Sequence, residues 1–336
     1  MSSIVNIQPS ANSSTKGKTY AFFHPYCNAG GGGERVLWQA VKDTLDYDES
    51  HSVIVYTGDT DSNGEQILRN VVKRFDIKLD EKRIHWIFLN KRHWVDSKSW
   101  PRFTLLGQAL GSVILCYEAI TRGYELPDSV QPDVWIDTMG YPFSYPLVWL
   151  LLGVPIIAYV HFPVISKDML NKLNVSLFTV AGLKQMLKFV YWYSFLLVYT
   201  FVGYFVDITL TNSTWTNNHI QSIWWLNNDM EILYPPCSTE KFIDVEQLSA
   251  CPISKDTKWT RENRVVVLAQ FRPEKRHDLI ITQYAKFLHK LGQQQDSTLA
   301  AKAPKLTLIG SIRNDQDCQY VQDLKSLAKS NNIPST

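Results

Sequence analysis

The chain has 336 residues, of which 45% are hydrophobic and 20% charged, and its formal net charge is +2. This composition is typical of a globular protein and excludes a disordered chain, and the length allows one large core or two of medium size. The small net charge gives no basis for a nucleic-acid-binding function. Aromatic residues make up 12%, which suits a carbohydrate site or a membrane interface, although large cores use them too.

The cysteines and the N-terminus indicate the compartment. Five cysteines are scattered without a C-x-x-C pair: Cys27, Cys116, Cys237, Cys251 and Cys318. Their odd number predicts reduced thiols in a cytosol-facing protein, not a disulfide framework or a zinc site. Residues 1–18 form a polar leader, predicted to be disordered, without the apolar core of a signal peptide. The N-x-S/T sequons at Asn12, Asn174 and Asn212 are therefore expected to stay unmodified.

Short apolar runs alternate with helical patterns after the leader, which predicts an α/β fold with a doubly wound parallel sheet. Strands are predicted at residues 20–24, 52–57, 84–89, 134–137, 154–160 and 207–212. The spacing of apolar residues predicts helices at 34–45, 103–120 and 214–223. Together they define an N-terminal Rossmann-like domain over residues 19–232.

One long apolar segment interrupts this alternation. Residues 189–206 carry no charge, and a helix of that length spans roughly 27 Å, slightly less than a ~30 Å hydrocarbon core. Aromatic residues crowd its first two-thirds, as they do at membrane interfaces. We expect a membrane-associated helix near residues 186–206 that dips into one leaflet; a buried core helix and a full span are the alternatives.

Residues 233–264 are predicted to be a linker, which opens on two prolines and closes on a stretch dense in charge. Beyond it, strands are predicted at 265–269 and 306–310, and helices at 278–291 and 318–329. Two strands and two helices leave an open sheet edge and an uncovered apolar face. Residues 265–336 are therefore expected to be an incomplete second Rossmann-like domain.

Four consecutive glycines, Gly30, Gly31, Gly32 and Gly33, separate the first predicted strand from the first helix. Glycines let the backbone approach an anion closely, and a helix N-terminus offers free N–H groups and partial positive charge. The run lacks the lysine of a P-loop and the spacing of a dinucleotide site. The pattern favours an anion-binding loop, and its alternative is a flexible turn.

Two further positions lie at strand ends, where doubly wound sheets bind their ligands. His161 follows an apolar strand, although a lone histidine is more often structural. Arg272 and Lys275 occupy the corresponding strand–helix corner of the second domain. Cations there would neutralise a leaving diphosphate, and an exposed charged loop is the alternative.

Residues 23–38, which include the four glycines, closely resemble the GDP-mannose-dependent α-1,2-mannosyltransferases of the dolichol pathway, of the glycosyltransferase family 4 type. These enzymes extend the lipid-linked oligosaccharide used for asparagine-linked glycosylation. Residues 159–163, 212–216, 234–237 and 270–275 resemble later blocks of the same family, in the same order. The resemblance runs from about Tyr20 to the end of the chain.

The resemblance implies a retaining transferase of the GT-B fold that needs no metal ion and no cofactor beyond its donor substrate. It implies transfer of mannose from GDP-mannose to Man(3/4)GlcNAc(2)-PP-dolichol on the cytosolic face of the endoplasmic reticulum membrane. Other mannosyltransferases of the pathway are the further partners expected, and nucleic acid is not. The apolar segment and residues 91–93 would hold the cleft near the membrane.

The resemblance also implies roles for individual residues. Gly30 to Gly33 would face the donor diphosphate, and His161 would contact the donor sugar near the reacting carbon. Lys275, helped by Arg272, would stabilise the GDP leaving group. The acceptor side is assigned to four residues of the first block: Tyr26, Asn28, Glu34 and Arg35.

Two departures from the family pattern bear on activity. Ala269 and Gln270 stand where the wider superfamily has a Gly-Arg pair, so Arg272 must substitute. The family's pair of donor-binding glutamates, separated by seven residues, and its N-terminal membrane anchor are not found in these residues. We therefore expect this polypeptide alone to be inactive or nearly so. The alternatives are a transferase with another sugar nucleotide and lipid acceptor, and a catalytically inactive membrane-associated protein of the same pathway.

Overall fold

The computed structural model describes residues 17–165, 180–227, 229–237, 263–292, 303–312 and 315–333. The chain divides into two compact units, Met1–Phe242 and Ile243–Thr336. The division falls inside the predicted linker, most of which lies outside the described residues. The predicted domain boundaries and the disordered leader therefore stay predictions.

The first unit is built on a seven-stranded sheet. Its strands are β1 (Thr19–Phe23), β2 (Ser52–Thr57), β3 (Ile84–Phe88), β4 (Val134–Asp137), β5 (Ile156–Val160), β6 (Ile208–Thr211) and β7 (Met230–Ile232). Their order across the sheet is β3-β2-β1-β4-β5-β6-β7, and every neighbouring pair is parallel. The order reverses between β1 and β4, whose carboxyl ends therefore form the crevice where such sheets bind ligands. The expected doubly wound parallel sheet is confirmed.

Helices cover both faces of this sheet. They are α1 (Gly32–Tyr47), α2 (Gly64–Phe75), α3 (Thr104–Gly123), α4 (Tyr145–Leu151), α5 (Val180–Val202) and α6 (Thr214–Ile223). Because successive strand residues point to opposite faces, Phe22 packs with α1 and α2, whereas Ala21 and Phe23 pack with α3 to α6. The sheet thus separates two apolar cores.

Except at α5, the bounds expected from sequence agree with these elements to within three residues, but α2, α4 and β7 were missed. The helix expected near residues 186–206 begins six residues earlier, at Val180, and ends four residues earlier, at Val202. The apolar residues of α2 do recur at helical spacing, and Asn63 and Gln66 form a capping box before it, with N–H···O distances of 2.8 and 3.1 Å. That signal was available. Seven residues of α4 and three of β7 are too few for a periodic pattern to show.

The long apolar segment forms α5. One side of α5 supplies Phe195, Leu196 and Tyr199 to the core, whereas Leu187 and Leu197 on the other side are exposed. Within the described residues, two helices are long and apolar enough to cross a membrane: α3, with half of its most apolar window buried, and Gly182–Phe205, with 28% buried. The expected dip into one leaflet stays a prediction.

The second unit contains a two-stranded parallel sheet of β8 (Arg264–Leu268) and β9 (Lys305–Ile309), with helices α7 (His277–Gly292) and α8 (Asp315–Ser330). Its described core consists of Ile281, Leu324 and Ala328 with the apolar residues around them. All four elements expected in this part of the chain are present.

The cysteines in the described residues are free thiols: Cys27, Cys116, Cys237 and Cys318. Burial raises the pKa of Cys27 and of Cys116, so both are unreactive core side chains at neutral pH. Cys251 lies outside the described residues.

Candidate functional site

The residues singled out in the first unit lie at the carboxyl edge of its sheet. Tyr26 to Arg35 follow β1, and His161 directly follows β5. A Cβ atom placed on Gly33 would lie 3.5 Å from Nε2 of His161. The glycine loop (residues 30–33) and His161 are therefore neighbours in the fold, although Gly33 and His161 are 128 residues apart in sequence.

The glycine run makes a sharp turn into α1. Gly30 has φ of +81°, a conformation that other residues rarely adopt, and a Cβ there would lie 2.9 Å from the side chain of Arg74. A Cβ on Gly32, the first residue of α1, would meet no atom within 4 Å. The first N–H groups of a helix have no partner within it. The glycine run therefore carries the first N–H groups of α1, with open space beside Gly32.

The carboxylate of Glu34 lies at this helix N-terminus. It accepts the N–H of Gly31, and its Oε1 atom is 3.6 Å from Nε2 of the fully buried His24. Burial by itself would raise the pKa of Glu34, but His24 and the backbone N–H groups together lower it. Glu34 is thus ionised at neutral pH and already supplies negative charge at the end of α1 where a bound phosphate is expected.

His161 is held by hydrogen bonds at its ring and at its backbone carbonyl. Its Nε2 atom is 3.0 Å from the carbonyl oxygen of Thr138, and its own carbonyl accepts the side-chain N–H of Asn212 at 2.9 Å. Because a carbonyl can only accept, Nε2 carries the proton and Nδ1 is the acceptor nitrogen. Burial lowers the pKa of His161 and outweighs the opposing effect of the Thr138 carbonyl. The ring is therefore neutral at neutral pH.

His24, Asp137 and Thr138 are site residues that sequence analysis missed. Nδ1 of His24 is 2.8 Å from Oγ1 of Thr138, so one threonine contacts both histidines. Asp137 accepts the N–H groups of residues 139, 140 and 141 and the phenol of Tyr145, at 2.6 to 2.9 Å. His24 follows β1 as His161 follows β5, and that signal was available. No local pattern identifies Thr138, whose position depends on the pairing of β1 with β4.

The predicted acceptor-side residues tie the glycine loop to its surroundings. Asn28 is hydrogen-bonded to Asp59, Ser62 and Asn70, and its carbonyl accepts from Arg74 at 2.6 Å.

Tyr26 donates to Asp96, and the guanidinium of Arg92, which also pairs with Asp59, lies 4.9 Å from the centre of its ring. Burial, together with Asp96, raises the pKa of Tyr26. The guanidinium of Arg35 lies 5.9 Å from the ring of Phe75. These contacts build the loop, and the acceptor-side assignment stays a prediction.

Arg272 and Lys275 lie in the second unit, in the corner between β8 and α7. Nη1 of Arg272 is 3.6 Å from the carboxylate of Glu274, and the backbone N–H of Lys275 donates to the carbonyl of Arg272 at 3.0 Å. The Lys275 side chain is exposed. Both cations thus lie at the strand–helix corner where sequence analysis expected them.

No group of three or more His, Cys, Asp and Glu side chains is placed to hold a metal ion among the residues that the structure describes. Independence from metal ions and cofactors stays a prediction.

Relatives of known name match nearly the whole chain. A Kluyveromyces lactis protein is 51% identical over 94% of this chain and 52% of its own length. Relatives from Xenopus laevis and Homo sapiens are 42% and 40% identical over 95% and 92% of this chain, and over 63% and 60% of their own lengths. All three are named GDP-Man:Man(3)GlcNAc(2)-PP-Dol alpha-1,2-mannosyltransferase. The chain spans about half the length of the fungal relatives that it matches.

Solved structures with far lower identity share the fold. The N-terminal domain of Candida albicans trehalose-6-phosphate phosphatase superposes with a TM-score of 0.53 at 12% identity. The superposition covers 97% of this chain and 71% of the phosphatase chain. Trehalose-6-phosphate synthase OtsA superposes with a TM-score of 0.52 at 11% identity. The superposition covers 94% of this chain and 69% of the synthase chain. These likenesses show the GT-B fold alone.

Residues 17–224 match the family described as ALG11 mannosyltransferase N-terminus. The matched region is more than half of the chain and contains the glycine loop, His24, Glu34 and His161. The resemblance seen in the sequence is confirmed, and the chain belongs to the ALG11 mannosyltransferase family.

Proposed function

We propose that the chain acts in the retaining transfer of α-1,2-linked mannose from GDP-mannose to Man(3/4)GlcNAc(2)-PP-dolichol, during synthesis of the precursor for asparagine-linked glycosylation. The names of the relatives supply the donor, the acceptor and the linkage. One observation carries the proposal: the glycine loop, Glu34 and His161 meet at the carboxyl edge of the parallel sheet. That edge is where doubly wound sheets bind their ligands.

The proposed chemistry assigns a step to each group. The neutral His161 accepts a hydroxyl of the donor mannose at Nδ1, near the carbon whose bond to phosphate breaks. The free amides of Gly32 and Gly33 face the donor diphosphate. Lys275 and Arg272 neutralise the charge that develops on GDP as it leaves, which is the main electrostatic requirement of the reaction.

The proposal places the protein on the cytosolic face of the endoplasmic reticulum membrane. Support comes from a broad apolar surface on α3, α4 and α5, which we call the apolar face and which includes the exposed side chains of Leu110, Trp149, Leu150, Leu187, Leu197 and Phe201. Lys184 and Lys188 are exposed near the start of α5 and suit anionic headgroups. Surfaces of this kind bind membranes.

A non-catalytic lipid-binding protein of the same pathway is the second candidate. It is favoured by the carboxylate of Glu34, which lies where a donor phosphate would have to bind. This candidate predicts that the chain binds the lipid-linked oligosaccharide but does not turn it over.

The deciding experiment measures mannose transfer to a dolichol-linked trimannosyl acceptor, with this chain and with a version extended to the length of the Kluyveromyces lactis relative. We expect transfer from GDP-mannose by the extended protein, with competition by GDP and not by UDP. Competition by UDP would point to another transferase. Acceptor binding without transfer by either protein would support the non-catalytic candidate.

A further inference from the structure

An apolar groove of about 510 Å³ runs between α3 and α5. Leu106, Leu110 and Val113 line it from α3, and Phe195, Val198 and Phe201 from α5. Among the residues that the structure describes, none that lines the groove is charged. Such a groove accepts a hydrocarbon ligand and disfavours a polar one.

A second cavity lies next to this groove. It measures about 180 Å³ and shares Ala109 and Phe143 with the groove. Its other end is lined by Gly140, Tyr141 and Val164, which follow β4 and β5 at the same edge as Thr138 and His161. The second cavity therefore lies beside the groove, on the side towards the carboxyl edge of the sheet.

Positive charge flanks one end of the groove. The phenol oxygen of Tyr191, on α5, accepts the N–H of Leu106, on α3, at 3.0 Å. Arg102 lies two residues before α3, and Lys188 lies one turn before Tyr191, so both exposed cations belong to the segments that meet at this junction. The ammonium of Lys188 lies 4.4 Å from the centre of the Trp192 ring. The combination of cations and an uncharged apolar groove complements an anionic headgroup with a hydrocarbon tail.

The charge beside the groove distinguishes between apolar occupants. A single flexible hydrocarbon chain is thin enough to lie in a groove of about 510 Å³, and an anionic headgroup attached to it would meet the two cations. The groove and its cations therefore favour an anionic lipid as the occupant.

We propose that the groove binds the polyisoprenoid chain of the acceptor lipid, with the diphosphate beside Arg102 and Lys188 and the sugars towards His161. This inference rests on the proposed function, because that function supplies the polyisoprenyl diphosphate acceptor. It adds the place where the lipid tail binds and the residues that select it.

The test is equilibrium binding of geranylgeranyl diphosphate to the purified chain. Val198→Trp and Leu110→Trp fill the groove from either side, at positions where the side chains are 51% exposed and a larger group can be accommodated. Leu197→Trp is the matched control, because Leu197 is the next residue of α5, is 55% exposed and does not line the groove. We expect about tenfold weaker binding for each groove variant and no change for the control.

Three results would overturn the proposal that the groove binds the lipid chain. They are unchanged affinity in both groove variants, equal weakening in Leu197→Trp, and binding of inorganic diphosphate or of an unbranched lysophosphatidate as tight as that of geranylgeranyl diphosphate. Thermal unfolding of each variant shows whether its fold is retained. Vesicle sedimentation should not fall in any variant, since tryptophan keeps the apolar face apolar, and a parallel fall would assign the effect to the membrane surface and overturn the groove.

The binding test and the transfer assay distinguish a failure of this inference from a failure of the proposed function. Selective isoprenoid binding without mannose transfer in the extended protein would refute the proposed function but not the binding of the lipid chain in the groove. Transfer with an unchanged KM for the lipid-linked acceptor in Val198→Trp would refute the binding of the lipid chain in the groove but not the proposed function.

Discussion

Glu34 connects the main parts of the candidate site. Its carboxylate accepts from the glycine loop and lies beside His24, which contacts Thr138, and Thr138 in turn holds His161. Three contacts, by way of His24 and Thr138, therefore link Glu34 to His161. The site behaves as one network, in which stability and geometry are coupled.

The first prediction concerns the charge of Glu34. Glu34→Gln keeps the shape of the side chain and removes its charge, so we expect the free energy of unfolding to fall by about 1 kcal/mol at neutral pH. The folded-state pKa of Glu34 is lowered, so this stability is present above its ordinary pKa of 4.5 and is lost as the pH falls through the lowered value. Guanidinium unfolding at neutral pH and at about pH 3 measures the difference.

Glu65→Gln is the control for this variant. Glu65 also lies in the first turn of a helix, but its side chain is 61% exposed and pairs with Arg69 on the surface. We expect a change below about 0.5 kcal/mol. Equal losses in both variants would show that the contact of Glu34 with His24 contributes nothing.

The second prediction concerns the protonation of His161. Because burial lowers its pKa, the ring stays neutral as the pH falls through the ordinary value of 6.5, and Nδ1 remains an acceptor. We expect kcat/KM for mannose transfer by the extended protein to decline only below that value. His161→Ala should lower kcat by about 10²- to 10³-fold.

His289→Ala is the matched control, since His289 is exposed on α7, and it should leave the rate unchanged. A decline centred at or above pH 6.5 would contradict the neutral histidine. An unaffected rate in His161→Ala would remove His161 from the reaction.

At the scale of elements, α3 is held close to the chain that precedes it. A Cβ on Gly107 would lie 2.2 Å from the ring of Trp100, and one on Gly111 would lie 2.1 Å from the carbonyl oxygen of Trp94. Buried Glu118 accepts the N–H groups of Asn90 and Lys91, each at 2.9 Å. Small residues and a buried carboxylate together hold the 3₁₀ turn Lys91–Val95 against the helix.

The third prediction tests this close packing. Alanine is a better helix former than glycine by about 1 kcal/mol, but overpacking costs about 1–3 kcal/mol and the Trp94 carbonyl belongs to the backbone and cannot rotate away. We expect Gly111→Ala to lower the free energy of unfolding by about 1–2 kcal/mol. Gly32→Ala, where no atom lies within 4 Å of the new Cβ, is the control in the same unit. Stabilisation by Gly111→Ala would refute the packing argument.

At the scale of the whole molecule, the two faces of the first unit differ in exposed apolar surface. The apolar face carries large exposed side chains along α5, whereas α1 and α2, on the opposite face of the sheet, enclose their own core. An apolar surface of this extent on one side favours membrane contact. Attraction between the flanking lysines and anionic lipids adds a component that salt weakens.

The fourth prediction follows from this asymmetry. Leu187→Glu and Leu197→Glu each place a charge on the apolar face, and we expect about tenfold weaker sedimentation with anionic vesicles. Tyr47→Glu is the control, because Tyr47 is 81% exposed at the end of α1 on the opposite face. Equal losses for all three variants would indicate a general effect of net charge and would contradict a defined membrane surface.

Much of the fold and the family follows from the sequence, because the signals are local. Strand and helix periodicity depends on neighbouring residues, and the run from Phe23 to Trp38 carries the family pattern in one stretch. His161 was found because strand ends in a parallel sheet mark its binding edge. Position along the chain is enough for such predictions.

The contacts within the site were decided only by the tertiary structure. His24 and Thr138 are 114 residues apart, and they meet because β1 pairs with β4 in a register that sets Phe23 beside Asp137. The groove likewise exists only where α3 packs against α5. Periodicity shows that such elements form and which face is buried, but the register of distant strands and the spacing of distant helices depend on how the whole core packs.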